Sequence, residues 1–113
     1  MPRRGSGHSA ERRALRHYRL RGFRILAVNA WAGGNELDLV VRRGRRLAFV
    51  EVKQKAAGTL GDPLEMVGPE KQRRLMQAAT AWLGAHRRLA ELEVSFEVLA
   101  VRPDGVERVP EAF

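Results

Sequence analysis

The fold of this chain is decided by residues 36–53, which read ELDLVVRRGRRLAFVEVK. Two runs of alternating apolar residues flank a basic break that contains Gly44. This pattern is typical of a β-hairpin, and Gly44 followed by Arg45 suits the two central positions of a type II′ turn. Such a turn places Arg43 opposite Arg46 and fixes the register of the whole hairpin.

The register predicts that one face of the hairpin carries four charged residues: Glu36, Asp38, Glu51 and Lys53. Asp38 then lies directly opposite Glu51, and Glu36 lies opposite Lys53. Because opposed side chains have Cβ atoms about 4.5–5.5 Å apart, two like charges there destabilise the pair. Asp38 and Glu51 therefore need a compensating cation, and carboxylate oxygens are ligands that a hard divalent ion such as Mg²⁺ prefers.

Two interpretations of this charged face remain open. In the first, the face is solvated, Glu36 forms an ion pair with Lys53, and the two acids face water. In the second, the face is a partly covered, concave site, because Val40 and Phe49 share it and would otherwise be exposed. The opposite face is apolar throughout and predicts a core contact through Leu37, Leu39, Val41, Ala48, Val50 and Val52.

The length of 113 residues suits one domain, which we expect to span residues 1–113. The chain has no apolar run of the roughly 18 residues that a transmembrane helix needs, and its Arg-rich start lacks the apolar segment of a signal peptide. The absence of Cys excludes disulfides and thiolate metal sites, and fits a cytoplasmic protein. Three histidines, His8, His17 and His86, lack metal-ligand spacing and are expected at the surface or its boundary.

The chain carries a formal charge of +8, and 18 of its 21 cationic residues are arginine. Arginine suits bidentate phosphate contacts, so we expect a polyanionic partner, with nucleic acid and above all DNA as the candidate. A genomic bias toward arginine codons, or adaptation to heat, would produce the same composition. The candidate nucleic-acid contacts are Arg43, Arg45 and Arg46 at the hairpin tip, Lys55 after the hairpin, and Lys71 and Arg74 further on. The alternative for the tip is a soluble turn.

The remaining patterns predict an α+β domain with a central mixed sheet of four to five strands, flanked by two main helices. Helices are predicted at about 6–21 and 69–88. Further strands are predicted at 23–28, interrupted by Asn29 and stopped near Gly33-Gly34, at 93–101 and at 105–109. We expect residues 1–6 to be flexible and the Gly/Pro-rich segment 55–68 to form a mobile loop that borders the site.

Spaced motifs run through residues 7–101: Ala10-Glu11, Gly22-Phe23, Asn29, Glu36-Leu37-Asp38-Leu39, Phe49-Val50-Glu51-Val52-Lys53, Gly61, Lys71 and Trp82-Leu83. With these motifs the chain resembles the bacterial YraN-like family of small uncharacterised proteins. That family is similar to archaeal Holliday-junction resolvases within the restriction-endonuclease-like PD-(D/E)XK superfamily. The chain departs from the family pattern at Asn35, at Gln54-Lys55 and at Glu97, where glycine, x-Arg and Asp are usual. These departures concern substrate contact and loop shape.

The resemblance implies a restriction-endonuclease-like core and a metal-dependent endonuclease that hydrolyses phosphodiester bonds, selective for branched or junction-like DNA in repair or recombination. It implies catalytic roles for Glu11, Asp38, Glu51 and Lys53, with Asp38 and Glu51 binding one or two Mg²⁺ or Mn²⁺ ions. Lys53 would hold or deprotonate the attacking water, and Glu11 would complete the metal shell or act from outside it. Glu36 would be an outer ligand or the ion-pair partner of Lys53. The alternative for Glu11 is a helix-surface glutamate.

Other function classes remain open. A nucleic-acid-binding module without catalysis, or one that needs a partner protein to become active, would keep the same fold. A protein-interaction domain would use the basic surface to bind an acidic partner. Resolvase-like relatives act as dimers, which implies a homodimer here, whereas neither a membrane partner nor an organic cofactor is expected.

Overall fold

The computed structural model describes residues 5–55 and 67–113, with side chains from residue 9 onward in the first helix. Residues 1–4 and 56–66, which cover most of the expected flexible terminus and mobile loop, lie outside this description. Within it the elements follow in the order α1 (Gly5–Leu20), β1 (Arg24–Ala32), β2 (Asn35–Arg43), β3 (Arg46–Gln54), α2 (Pro69–Ala85), a 3₁₀-helix (Arg87–Glu91), β4 (Glu93–Arg102) and β5 (Gly105–Val109).

The five strands form one mixed sheet in the order β1-β2-β3-β4-β5. β1, β2 and β3 pair antiparallel, β3 and β4 pair in parallel, and β5 returns antiparallel to β4. A parallel pair needs a crossover connection, and α2 lies in the segment that joins β3 to β4. The predicted α+β class and mixed central sheet are therefore confirmed.

Helix α1 covers one face of this sheet. Ala10, Ala14 and Tyr18 form its buried stripe, and their i, i+4, i+8 spacing predicts that they share one face. The helix ends because Gly22 has a φ of +84°, which allows the Phe23 amide to donate a hydrogen bond to the Tyr18 carbonyl. The core beneath α1 includes Leu39, Val41, Ala48, Val50 and Leu99.

Helix α2 covers the other face, the one that carries the acids. Helical spacing predicts a buried face of Leu75, Ala78, Ala79, Trp82 and Leu83; the first four are buried and Leu83 is half-buried. Beneath them lie Val40 and Phe49, which are 0% and 3% exposed. The charged face of the hairpin is therefore partly covered. The helix ends at Ala85, three residues earlier than predicted, because His86 leaves helical geometry and starts the 3₁₀-helix.

Two predicted positions are wrong. Leu37 packs in the cluster under α2 rather than beside Leu39 under α1. The strand loses its alternation at this point, next to Asn29 of β1, whose φ of +51° interrupts the regular pleat. His17 is buried rather than superficial, because that side of α1 packs against the sheet, and burial lowers the pKa of its imidazole.

In the described part of the chain, no helix is long and apolar enough to cross a membrane.

Candidate functional site

The hairpin ladder ends where the acids begin. β2 and β3 pair in the predicted register from the turn as far as Leu39 and Val50. Past this pair, Oδ2 of Asp38 accepts a hydrogen bond from the Val52 amide at 2.9 Å. The carboxylate thereby takes an amide that a continuing ladder would have given to a backbone carbonyl. Backbone pairing between the two strands ends here, and we call this gap in the ladder the opening.

The side chain of Glu51 lies on the α2 side of this opening and is only 5% exposed. Its Oε2 atom is 3.3 Å from Nζ of Lys53 and 3.2 Å from Nζ of Lys71. Lys53 follows two residues later on the same face of β3, whereas Lys71 reaches down from the first turn of α2. A buried carboxylate is tolerated only when it is paired, and these two ammonium groups supply the charge.

The carboxyl group of Asp38 has a perturbed pKa. Burial raises it most, and the neighbouring carboxylates of Glu51 and Glu36 raise it further, to about 7. The Val52 amide and the ammonium group of Lys71 act in the opposite direction. Burial and the two neighbouring carboxylates thus outweigh the Val52 amide and Lys71, and favour the protonated form of Asp38 over a wider pH range than in an exposed aspartate. Strongly perturbed carboxyl groups are often found at functional sites.

The solvated-face interpretation does not describe this arrangement. Lys53 contacts Glu51 rather than Glu36, and Glu51 does not face water. The predicted direct cross-strand pairs, Asp38 with Glu51 and Glu36 with Lys53, lie beyond the last ladder pair because the strands have already separated. Glu36 is exposed, and its charge acts on Asp38 from the rim of the opening.

Glu11 approaches the sheet from α1. It is half-buried, and its Oε2 accepts a hydrogen bond from Nδ2 of Asn29. Asn29 lies in β1 between the residues that pair with Leu39 and Leu37, and therefore at the level of Asp38. Glu11 thus contacts the strand next to the site rather than standing at the helix surface. Across residues 9–55 and 67–113, no three His, Asp or Glu side chains converge closely enough to hold a metal ion together. The acid site is a pair of carboxylates.

The predicted cations of the hairpin tip lie away from the acids. About 17 Å of strand separates Arg43 from Asp38. Arg43 donates a hydrogen bond to the Arg21 carbonyl and stacks over the Phe23 ring. The other two tip residues also have partners within the chain: Arg45 bonds the Glu91 carbonyl, and Arg46 lies 3.7 Å from Glu111.

The remaining predicted cations do not form one surface. Lys71 lies in the acid site, Arg74 is exposed one turn further along α2, and Lys55 lines a cavity of about 210 Å³ between α1 and the β4–β5 turn. The contact between Lys71 and Glu51 was not foreseen. The one sequence signal for this contact is that the chain uses lysine rather than arginine at Lys53 and Lys71, and it is weak. Both of these lysines contact the Glu51 carboxylate.

A second buried charge cluster lies under α1. Glu97 of β4 is 0% exposed, accepts a hydrogen bond from the Tyr18 hydroxyl at 2.8 Å, and is held by two bonds of 2.9 and 2.7 Å from the Arg108 guanidinium. Burial and the adjacent Glu97 carboxylate raise the pKa of Tyr18. The Glu97 cluster ties α1, β4 and β5 together. The association of Glu97 with substrate contact or loop shape is therefore wrong, because its carboxylate is buried and bonds Tyr18 and Arg108.

Comparison with known proteins gives a consistent result. The family model described as "Uncharacterised protein family UPF0102" matches residues 10–101. A UPF0102 protein of Bradyrhizobium diazoefficiens is 40% identical over 103 residues, which cover 91% of this chain and 76% of that protein. A UPF0102 protein of Rhodopseudomonas palustris is 41% identical over 96% of this chain and 79% of its own length, and one of Anaeromyxobacter dehalogenans is 44% identical over 98% and 85%.

Proposed function

The chain belongs to the UPF0102 family of uncharacterised proteins, and from this premise we propose that it is a nuclease that depends on Mg²⁺ or Mn²⁺. The observation that carries the proposal is the meeting of Asp38 of β2 with Glu51 and Lys53 of β3 where the hairpin ladder ends. The same order of an acid followed by Glu-x-Lys underlies the resemblance to PD-(D/E)XK nucleases. The substrate would be the phosphodiester backbone of a nucleic acid.

The donor set suits a hard divalent ion. Asp38 and Glu51 offer carboxylate oxygens, with the Val52 carbonyl as a further candidate ligand, and Mg²⁺ binds such oxygens while keeping several waters. The raised pKa of Asp38 supports this assignment, because burial and the Glu51 and Glu36 carboxylates disfavour the charged form of Asp38, and a bound cation would offset both effects. When bound, the ion would neutralise charge on the phosphate and lower the pKa of water.

Lys53 is the residue best placed to act on the reacting groups. Its ammonium group is 3.3 Å from Glu51, and its side chain is 24% exposed, so a substrate can approach it from solvent. There it would orient the attacking water and donate a hydrogen bond to the phosphate oxygen that gains negative charge in the transition state. Glu11 would act as a positioning residue through Asn29.

The finer proposal is selectivity for branched DNA, acted on by a homodimer. The net charge of +8 supports a polyanionic substrate. The basic hairpin tip, about 17 Å along the strand from Asp38, would contact phosphates away from the cleaved one. Such contacts position a duplex arm without reading its sequence.

A second candidate is a nucleic-acid-binding module without catalysis. One observation favours it: two lysines already neutralise Glu51, and no third acid or histidine joins the pair in the described ranges. In this function the same surface would bind phosphates, and affinity would fall steeply with salt but would not depend on a divalent ion.

A cleavage assay separates the two functions. We would incubate the purified wild-type protein with labelled four-way junction, flap, duplex and single-stranded DNA and with single-stranded RNA, in EDTA, Mg²⁺ or Mn²⁺. Asp38→Asn is the test variant, because asparagine keeps an oxygen for the Val52 amide but removes the charge. Asp104→Asn is the matched control, since Asp104 is exposed in the β4–β5 turn.

The nuclease proposal expects cleavage that requires Mg²⁺ or Mn²⁺, is lost in Asp38→Asn and is retained in Asp104→Asn. Binding to the same substrates without cleavage, unaffected by divalent ions, would overturn it in favour of the binding module. The relative rates on the panel decide whether branched DNA is preferred.

A further inference from the structure

Lys71 is the unexpected member of the acid site. Its Nζ atom is 3.2 Å from Oε2 of Glu51, the same oxygen that Lys53 contacts at 3.3 Å. Lys71 also belongs to another layer of the fold, since α2 delivers it across the opening from outside the sheet. Two cations from separate elements thus bind a single carboxylate oxygen.

The two lysines differ in how firmly they are held there. Lys53 lies near the end of β3, in a segment that stays paired with β4 through Gln54. The Lys71 side chain is more exposed, at 38% against 24%, and extends from the first turn of α2. A cation in the first turn of a helix gains nothing from the helix dipole, so the Glu51 contact is what favours its position.

A divalent ion on Asp38 and Glu51 would place two positive charges within a few ångström of both lysines. Repulsion at such distances is strong in a partly buried pocket. One ammonium group must then leave, and the Lys71 side chain is the more exposed of the two. Its backbone stays in place, because Gln72 fixes the start of α2 by bonding the Gly68 and Val67 carbonyls.

We propose that Lys71 is a phosphate-binding residue of this site that neutralises Glu51 while no ion is bound and contacts the substrate phosphate once a divalent ion replaces it. This inference rests on the proposed nuclease function. It gives the site a cation from each side of the opening, Lys53 from the sheet and Lys71 from α2. A phosphate held between them would be fixed in orientation before it reacts.

The test is a Mn²⁺ titration by isothermal titration calorimetry, with the wild type, Lys71→Met, Lys71→Arg and Arg88→Met. Arg88 is exposed in the 3₁₀-helix beyond the far end of α2, so its variant matches the charge change without touching the site. We expect Lys71→Met to bind Mn²⁺ roughly tenfold more tightly, because it removes a nearby positive charge. Lys71→Arg and Arg88→Met should remain within about twofold of the wild type.

A second measurement follows the phosphate. Binding of a fluorescein-labelled four-way junction would be compared in Ca²⁺ for the same proteins, with a thermal melt to verify folding. Lys71→Met should bind the junction about tenfold more weakly in Ca²⁺, whereas Lys71→Arg should stay close to the wild type.

The outcomes separate this inference from the nuclease proposal. If Lys71→Met binds Mn²⁺ no more tightly than Arg88→Met does, the role of Lys71 is overturned, while Mn²⁺ binding that Asp38→Asn abolishes would still support the metal site. If Lys71→Met binds Mn²⁺ and the wild type does not, the result would support the proposal that the Lys71 ammonium group neutralises Glu51 in place of the ion. Absence of Mn²⁺ binding in both wild type and Lys71→Met would overturn both proposals.

Discussion

Asp38 accepts a hydrogen bond from the backbone amide of Val52 at 2.9 Å, and this bond replaces the next step of the β2–β3 ladder. A carboxylate that replaces a backbone carbonyl as acceptor is held in position by the backbone amide, and this bond brings no opposite charge to it. The bond also fixes which way the carboxylate points, toward β3 and Glu51. The bond that holds Asp38 in place therefore also keeps its carboxylate near that of Glu51, which raises its pKa.

The stability of the protein should depend on pH through Asp38. Its pKa is raised from an ordinary 3.8 to about 7, so the folded state binds the proton more tightly than the unfolded chain does. The contribution to stability is fully present below about pH 4 and is lost as the pH rises through 7. Asparagine does not ionise, so the loss is absent from Asp38→Asn. The free energy of unfolding of this variant, relative to the wild type, should therefore be higher at pH 8 than at pH 5 by on the order of 1–3 kcal/mol.

Urea unfolding in EDTA at pH 5 and pH 8 measures this difference. Asp104→Asn is the control, because it makes the same chemical change at an exposed turn. An Asp38→Asn effect that stays constant between the two pH values would contradict the raised pKa.

Glu51 should control the titration of Asp38. After burial, the Glu51 carboxylate is the largest cause of the raised pKa, so Glu51→Gln should lower that pKa without restoring its ordinary value. The measurement is a ¹³C NMR titration of the Asp38 carboxyl carbon. Glu107→Gln, at a half-exposed ion pair with Arg102, should leave it unchanged. Equal titration curves in the wild type and Glu51→Gln would show that the two carboxyl groups do not interact.

The hairpin and the two helix faces could be predicted because each depends on local signals. The Gly44 turn fixed the register, and the spacing of Leu75, Ala78, Ala79 and Trp82 identified the buried face of α2. The presence of Val40 and Phe49 among charged residues correctly indicated a covered face.

The rest of the site depends on where strands separate and where helices cross, and local spacing does not encode either. A strict alternation pattern continued the ladder to Asp38 and Glu51, whereas the strands separate after Leu39. The same pattern misplaced Leu37. Lys71 lies 20 positions after Glu51 and meets it only because α2 packs across the sheet. The end of the β2–β3 pairing, the position of Leu37 and the Lys71–Glu51 contact thus depend on tertiary packing and not on the spacing of residues in the sequence.

At Asn29, a glycine variant should be more stable than an alanine variant, the reverse of the usual order within a strand. Its φ of +51° favours asparagine or glycine, and its side chain bonds Glu11. Both Asn29→Gly and Asn29→Ala lose the bond, but only alanine adds backbone strain, so Asn29→Ala should be less stable by about 1 kcal/mol. Thermal unfolding compares the two. At Asn35, whose φ is not positive, the alanine variant should be at least as stable as the glycine variant, and a similar order at Asn29 would argue against strain.

The Glu97 cluster should behave as a coupled unit. Arg108→Met leaves the fully buried Glu97 carboxylate without its bidentate partner and should destabilise the protein by about 3 kcal/mol. Replacing both residues, in Glu97→Met with Arg108→Met, should cost less than the sum of the single changes. Urea unfolding of the four proteins gives the coupling energy, and additive effects would refute the pairing. At the more exposed pair of Arg102 and Glu107, Arg102→Met should cost under about 1 kcal/mol.

Lys53 should affect cleavage without supporting metal binding. Its ammonium group is a neighbour of the proposed ion and not a ligand, so Lys53→Met should bind Mn²⁺ at least as tightly as the wild type. The same variant loses the hydrogen-bond donor for the phosphate, and its single-turnover cleavage rate should fall by about 10²–10³. Arg88→Met again controls for the change in net charge, and should cleave at the wild-type rate. Normal cleavage by Lys53→Met would remove Lys53 from the mechanism, whereas weakened Mn²⁺ binding would mean that it holds the carboxylates in place rather than the substrate.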